Sequence, residues 1–183
     1  MSALGADVRR LVADFPVTSE QDRAAQEDFA SFFSDDDGPV QRDDGPRHAT
    51  ASAFVFDRSL SRILLVFHGK GRFWVQPGGH LEPGDRSIAD AALRELSEET
   101  GIVAPRPGED YVYDLDHHEL SAAFGRCASH LDIGVAFVVA GDDALRVSDE
   151  SEDVRWWPID ALPDEVPPQF HRRVEHVLAL LRG

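Results

Sequence analysis

Residues 78–102 read GGHLEPGDRSIADAALRELSEETGI, and this stretch decides how the rest of the chain is read. It opens on a Pro77-Gly78-Gly79 turn and passes a second turn at Pro83-Gly84. From Ser87 to Thr100 it is rich in good helix formers, and Gly101 stands where a helix C′ residue is expected. On that helix Glu95, Glu98 and Glu99 are related by i, i+3 and i+4, so they share one stripe. Ala89, Ala92, Leu93 and Leu96 form the adjacent apolar stripe. One helix therefore buries one face and gathers three carboxylates beside it. Like charges at i, i+4 cost an isolated helix a few tenths of a kcal/mol, roughly. Arg94, facing Glu98 at i+4, offsets part of that repulsion. A bound divalent cation relieves the rest. Hard oxygen donors of this kind suit Mg²⁺ or Mn²⁺, completed by waters and substrate phosphates. The plain alternative is a solvated acidic helix face.

The stretch resembles the MutT-like Nudix box of the Nudix hydrolase family: Gly, five residues, Glu, seven residues, then Arg-Glu-aliphatic-x-Glu-Glu-x-Gly-aliphatic. Here Gly79 opens it and Arg94-Glu95-Leu96-Ser97-Glu98-Glu99-Thr100-Gly101-Ile102 closes it. Asp85 stands in place of the first Glu, and eight residues, Arg86 to Leu93, separate it from Arg94. The resemblance implies an α/β/α sandwich with a mixed β-sheet over about His48 to Leu181. It implies hydrolysis of a nucleoside diphosphate linked to another group, with Mg²⁺ or Mn²⁺ as cofactor. Carried onto this sequence, it makes Glu98 and Glu99 metal ligands and Glu95 a ligand or the base that activates water. It makes the Gly79 carbonyl a further ligand and Arg94 the residue that orients the carboxylates. Asp85 supports the site through Arg94 or caps the helix region; both remain open here. A further acid from a late loop is expected among Glu150, Glu152 and Asp153. His130 and Asp132 share one face of a strand and are candidates for the cleft. Two other readings are a non-catalytic Nudix-fold ligand sensor and an isopentenyl-diphosphate isomerase. The first predicts lost carboxylates. The second needs a placed cysteine that Cys127 does not match.

Outward from the box, composition narrows the classes. The 183 residues suffice for one domain with an extension, and 42% hydrophobic content is ordinary for a globular chain. A net charge of −16 argues against coating nucleic acid or adhering to an anionic membrane. The single cysteine excludes an intramolecular disulfide and an all-thiolate metal cage. No apolar run reaches about 18 residues and the start lacks a basic-then-apolar leader, so a cytoplasmic location is expected. The expected partner is a small nucleotide or diphosphate compound, and the expected state is a monomer or homodimer.

The elements follow in order. Residues 1–45 read as two helices and an acidic Gly-Pro linker, with Pro16 ending the first helix and Thr18 or Ser19 capping the second. Residues 46–183 read as the Nudix domain. Strands are expected at 51–56, 62–68, 73–76, 111–119, 130–140 and 154–158, and a closing amphipathic helix at 169–181. Trp74, Trp156 and Trp157 are candidates for stacking on a base.

Overall fold

The sheet is organised around its first strand, β1, Arg47–Asp57, which is buried from His48 onward. It is the central strand of a computed structural model that describes residues 2–34, 39–121, 125–149 and 151–183. The remaining strands are β2 (Arg62–His68), β3 (Phe73–Val75), β4 (Gly78–His80), β5 (Tyr113–Glu119), β6 (Ser129–Val139) and β7 (Ser151–Pro158). Helices α1 (Ala3–Asp14), α2 (Glu20–Phe32), α3 (Ile88–Thr100) and α4 (Phe170–Arg182) complete the described residues, with 3-10 turns at Arg42–Asp44 and Ile159–Ala161. The strand order is β3-β2-β1-β6-β5, with β4 added on β1 and β7 on β2. β1 and β6 pair in parallel from Arg47↔Ser129 to Asp57↔Val139, and the other pairs are antiparallel. A parallel pair needs a crossover, and α3 lies on that connection. The sheet is therefore mixed, as expected.

One expectation is corrected. Gly78 and Gly79 are not only a turn: with His80 they form β4, paired as Ser52↔Gly78 and Thr50↔His80. A Cβ on Gly78 would stand 2.5 Å from that of Ser52, so only glycine lets the two backbones approach this closely. β1 also begins four residues before the expected Ala51, β5 two residues after Tyr111, and β7 at Ser151 before Val154. Pairing with an existing neighbour extends or trims a strand, and that neighbour is invisible in a linear pattern.

Two cores flank the sheet. On one face α1 (Leu4, Val8, Leu11, Val12), Phe29, Phe33 and α3 (Ile88, Ala92, Leu96) cover Leu64, Val66 and Val55. On the other, α4 (Phe170, Val174, Val177, Leu178) covers Phe54, Phe56, Ile63 and Leu65. β2 is thus buried on both sides, which explains its uninterrupted apolar run. The architecture is an α/β/α sandwich. The N-terminal helices are part of its first core. Tyr113 donates its hydroxyl to the Leu11 carbonyl at 2.7 Å, and the Asp7 carboxylate accepts from the Ile88 N–H at 2.8 Å. Asp7 therefore satisfies an otherwise free donor in the first turn of α3. Ser19 caps α2, accepting from the Asp22 N–H.

Between β1, β5, β6 and α4 lies a buried polar network centred on Arg173. Its guanidinium donates to Asp114 at 2.5 Å, Asp116 at 3.3 Å and Asp132 at 2.9 Å. Asp132 also accepts from Thr50, Ser52 and Gln76. Burial opposes the Arg173 charge most strongly, but the charges of Asp116, Asp114 and Asp132 reverse the balance and raise its pKa. Burial likewise works against Asp116, but Arg173 and His118 hold its pKa down to about 2. Asp114 lies deeper, and there burial prevails over Arg173 and raises its pKa. Arg173→Met leaves these carboxylates buried without their cation. It is expected to lower stability by about 3–5 kcal/mol in urea unfolding; a loss below about 1 kcal/mol would contradict this account.

Candidate active site

The box helix α3 starts at its N-cap Ser87, whose side chain accepts from the Asp90 N–H. It ends at Gly101, which adopts φ 77°, a left-handed conformation that glycine takes without steric cost. Its apolar stripe is buried at Ile88, Ala89, Ala92 and Leu96, and the same rotation turns the acidic stripe toward β4. Glu95, Glu98 and Glu99 line one cleft of about 550 Å³ together with Gly79, His80, Arg94 and the 41–43 segment. That volume suits a small-molecule ligand. Its lining is polar and its carboxylates differ in exposure. The Glu98 side chain is 60% exposed, that of Glu95 13%, and Glu99 is buried. Glu98 is thus the carboxylate best placed to meet solvent or a ligand, while Glu95 and Glu99 sit at the base.

Arg94 holds this arrangement together. Its Nε and one terminal nitrogen grip both oxygens of Asp85, at 3.1 and 3.0 Å. The other terminal nitrogen donates to Glu95 at 2.8 Å and Glu98 at 3.2 Å. A fifth contact, at 2.9 Å, reaches the backbone carbonyl of His80. Burial works against the Arg94 charge, but hydrogen bonds to Asp85 and Glu95 outweigh it and raise its pKa. Planar, forked and permanently charged, arginine serves this bidentate role as lysine would not.

Asp85 therefore lies on Arg94 rather than on the helix cap, which is Ser87. Asp85 N–H donates to the Glu82 carbonyl at 3.0 Å, and the Asp85 carboxylate accepts from the Glu82 N–H at 2.8 Å. This small turn folds the shorter acid back onto Arg94. Gly79 lies against Glu95: a Cβ there would stand 2.6 Å from a Glu95 oxygen. Backbone and carboxylate thus meet at a distance that any side chain at 79 would prevent.

Other sequence candidates fall elsewhere. Glu152 pairs with Arg72 at 2.5 Å on the sheet surface, outside the cleft lining. Asp153 is engaged by Arg155 and by the Val154 N–H. Glu150 lies outside the described residues. From that late loop it is Ser148 that lines the cleft. Asp132 belongs to the Arg173 network, so it is a buried structural acid and not a cleft residue. Trp74 packs edge-on against Phe67 and Trp157 in the α4-side core, and Arg62 covers Trp156. None of the three tryptophans lines the cleft.

His130 does converge with other groups, but with imidazoles rather than carboxylates. His48, His80, His130 and Cys127 place one donor atom each within 4.8 Å of one another, a group that could hold a metal ion. The linear sequence offers little sign of this, because the four residues span β1, β4, β6 and the loop before β6. Arg173 was also missed, although a signal exists. It stands within the inward stripe Phe170, Val174 and Val177, where a charged residue implies a buried partner.

Comparison with known proteins agrees with this architecture. The NUDIX domain family matches residues 46–181. The asymmetrical bis(5'-nucleosyl)-tetraphosphatase of Rattus norvegicus is 32% identical over 105 residues, covering 57% of this chain and 69% of that protein. The RNA pyrophosphohydrolase of Novosphingobium aromaticivorans is 33% identical over 116 residues, covering 57% of this chain and 71% of that protein. A crystal structure of the MutT protein from Methanosarcina mazei Go1 shares the fold with a TM-score of 0.60 at 20% identity, over 76% of this chain and 98% of that one. Helix α3 with its three glutamates, the Arg94 clamp and a family match over most of the chain agree, and the chain belongs to the NUDIX domain family, the Nudix hydrolases, which act on phosphoric anhydride bonds.

Proposed function

We propose that the chain is a Mg²⁺- or Mn²⁺-dependent pyrophosphohydrolase acting on a nucleoside diphosphate linked to another group. A nucleoside triphosphate, a modified nucleotide or another small nucleotide derivative is the favoured substrate class. One observation carries the reading: Glu95, Glu98 and Glu99 share a cleft with the Gly79 backbone while Arg94 orients the carboxylates. The names of the rat and Novosphingobium relatives, a tetraphosphatase and a pyrophosphohydrolase, support phosphoanhydride substrates. Residues 46–183 are proposed as the catalytic domain, and residues 1–45 as an extension that packs on its core.

The donor set fits a hard cation, since the carboxylates and the Gly79 carbonyl are oxygen donors. Glu98 and Glu99 would hold it, with Glu95 and Gly79 at the base of the site. When bound, the ion neutralises pyrophosphate charge and lowers the pKa of a water. The chain's own residues do the rest. Arg94 fixes the Glu95 and Glu98 rotamers, and Asp85 fixes Arg94. A cleft carboxylate, with Glu95 the candidate, takes the proton from the attacking water. The water oxygen bonds to one phosphorus, the bridging P–O bond breaks, and the bridging oxygen leaves with the electron pair. The products are two phosphate esters or one ester and pyrophosphate, according to the substrate.

A panel of nucleoside diphosphate and triphosphate derivatives, assayed with Mg²⁺ and with Mn²⁺ by phosphate or pyrophosphate release and product mass, tests the reading. Glu95→Gln is expected to lower kcat by about 10²–10⁴-fold. Glu98→Gln and Glu99→Gln are expected to abolish metal-dependent turnover with folding retained. Turnover that survives both substitutions would refute the assignment, and binding without turnover on every compound would favour a ligand sensor. Asp85→Asn keeps the shape of the Arg94 contact but removes its charge. It is expected to raise the Mg²⁺ concentration for half-maximal rate by about 10–100-fold, as loss of an outer-shell partner does. An unchanged metal dependence would make Asp85 a loop residue only.

A further inference from the structure

The group of His48, His80, Cys127 and His130 differs in kind from the oxygen site of the box. We infer that these four side chains form a second metal site, a His₃Cys centre for Zn²⁺ that ties β1, β4, β6 and the loop before β6 together. Geometry comes first. The four donor atoms lie within 4.8 Å of one another. Cys127 Sγ is 3.7 Å from His80 Nε2. A tetrahedral centre with Zn–S of about 2.3 Å and Zn–N of about 2.0–2.1 Å places sulfur and nitrogen about 3.6 Å apart. The imidazole rings surround one point, with centroid separations of 5.1 Å for His48–His80, 5.0 Å for His48–His130 and 5.2 Å for His80–His130. Strand pairing sets this up: His48 faces His130 across the parallel β1–β6 ladder, and His80 is paired with Thr50, two residues along the same face of β1.

Hydrogen bonding is the second observation. His48 Nδ1 donates to the Gly45 carbonyl at 2.8 Å, which leaves the lone pair on Nε2. That Nε2 is buried and has no hydrogen-bond partner, and the same is true of His130 Nε2. Buried ring nitrogens are ordinarily paired, so two orphans in one cluster require an explanation. A ligating histidine commonly gives its other N–H to a backbone carbonyl, as His48 does to Gly45. The thiol–imidazole contact at 3.7 Å also has the length of a weak hydrogen bond, but such a bond leaves both orphaned nitrogens unexplained.

Neutral imidazoles and a thiolate are the forms in which such a group binds a metal. His118 lies beside His130, its Nδ1 bonded to Asp116 at 2.8 Å. Three nitrogens and a thiolate favour a borderline-soft cation such as Zn²⁺ over Mg²⁺. Four protein donors fill a tetrahedral shell, so the ion's role is structural. It reaches the catalytic site through β4. His80 follows Gly79 directly, and its carbonyl accepts the Arg94 guanidinium at 2.9 Å. Pinning the His80 ring therefore pins the backbone against which Glu95 rests.

The test uses the full chain and needs no substrate. Protein produced with zinc and dialysed against zinc-free Mg²⁺ buffer is expected to retain about one zinc per chain by elemental analysis, the stoichiometry of a single closed site. Replacement by Co²⁺ is expected to give tetrahedral visible bands and a thiolate-to-cobalt charge-transfer band. Cys127→Ser removes the charge-transfer band and weakens Zn²⁺ binding by at least about tenfold in chelator competition. Glu98→Gln with Glu99→Gln leaves zinc content unchanged. Wild-type protein that takes up no zinc, or whose Co²⁺ form lacks the thiolate band, overturns the proposal. So does zinc lost with the glutamate substitutions but kept in Cys127→Ser, which places the ion in the box. The wild-type cobalt spectrum decides the matter even if a ligand variant does not fold.

Discussion

One guanidinium, that of Arg94, stands between the fold and the chemistry. Its contacts to Asp85, Glu95, Glu98 and the His80 carbonyl join the turn before α3, the helix itself and strand β4. Without a cation among them, Glu95, Glu98 and Asp85 would repel one another and the loop would have no reason to fold back. Among its pairs the one to Glu98 is exposed and screened by solvent, whereas those to Asp85 and Glu95 are largely buried. The fork fixes direction: planar donors accept only a few arrangements of carboxylate around them. Everything upstream serves to place Arg94. Ser87 starts α3, the apolar stripe seats it on the sheet, and Asp7 of α1 satisfies a donor at its start.

The second arginine, Arg173, plays a matching part on the opposite face. It holds Asp114, Asp116 and Asp132 in one largely buried network and so ties α4 to β5 and β6. A hydrophobic core alone would tolerate small slips of that helix. Buried charged hydrogen bonds do not, because a slip leaves carboxylates unpaired. The two arginines thus set the two helical layers, one beside the cleft and one behind it. β1 lies between them, and both layers are registered against it.

Much of this was legible in the residues. The helical spacing of Glu95, Glu98 and Glu99, the Gly101 stop and the alternating or continuous apolar runs of β2, β5 and β6 are local patterns. They depend on side chains a few positions apart, so a linear reading finds them. The role of Asp85 was only half legible: the residues left support through Arg94 and capping of the helix region both open, and the Glu82–Asp85 turn shows how a shorter acid reaches Arg94. β4 was hidden for a related reason: a Gly-Gly pair reads as a turn unless a strand lies beside it to accept the pairing. Asp132 and His130 share one face as expected, yet the groups that separate their roles, Arg173 for Asp132 and His48 and His80 for His130, come from more than forty positions away.

The sequence by itself determined the family's box, the identity of its acidic helix and the alternation of strands and helices, because periodicity and spacing are properties of neighbours along the chain. Only the tertiary structure decided which acids face the cleft, that the N-terminal helices share the main core, and that three histidines and the single cysteine meet. Those outcomes rest on strand register. In a sheet, one residue of slip turns every side chain to the other face. The β1–β6 and β1–β4 registers that bring His48, His130 and His80 to one point are fixed by pairing across the fold, which no local pattern records.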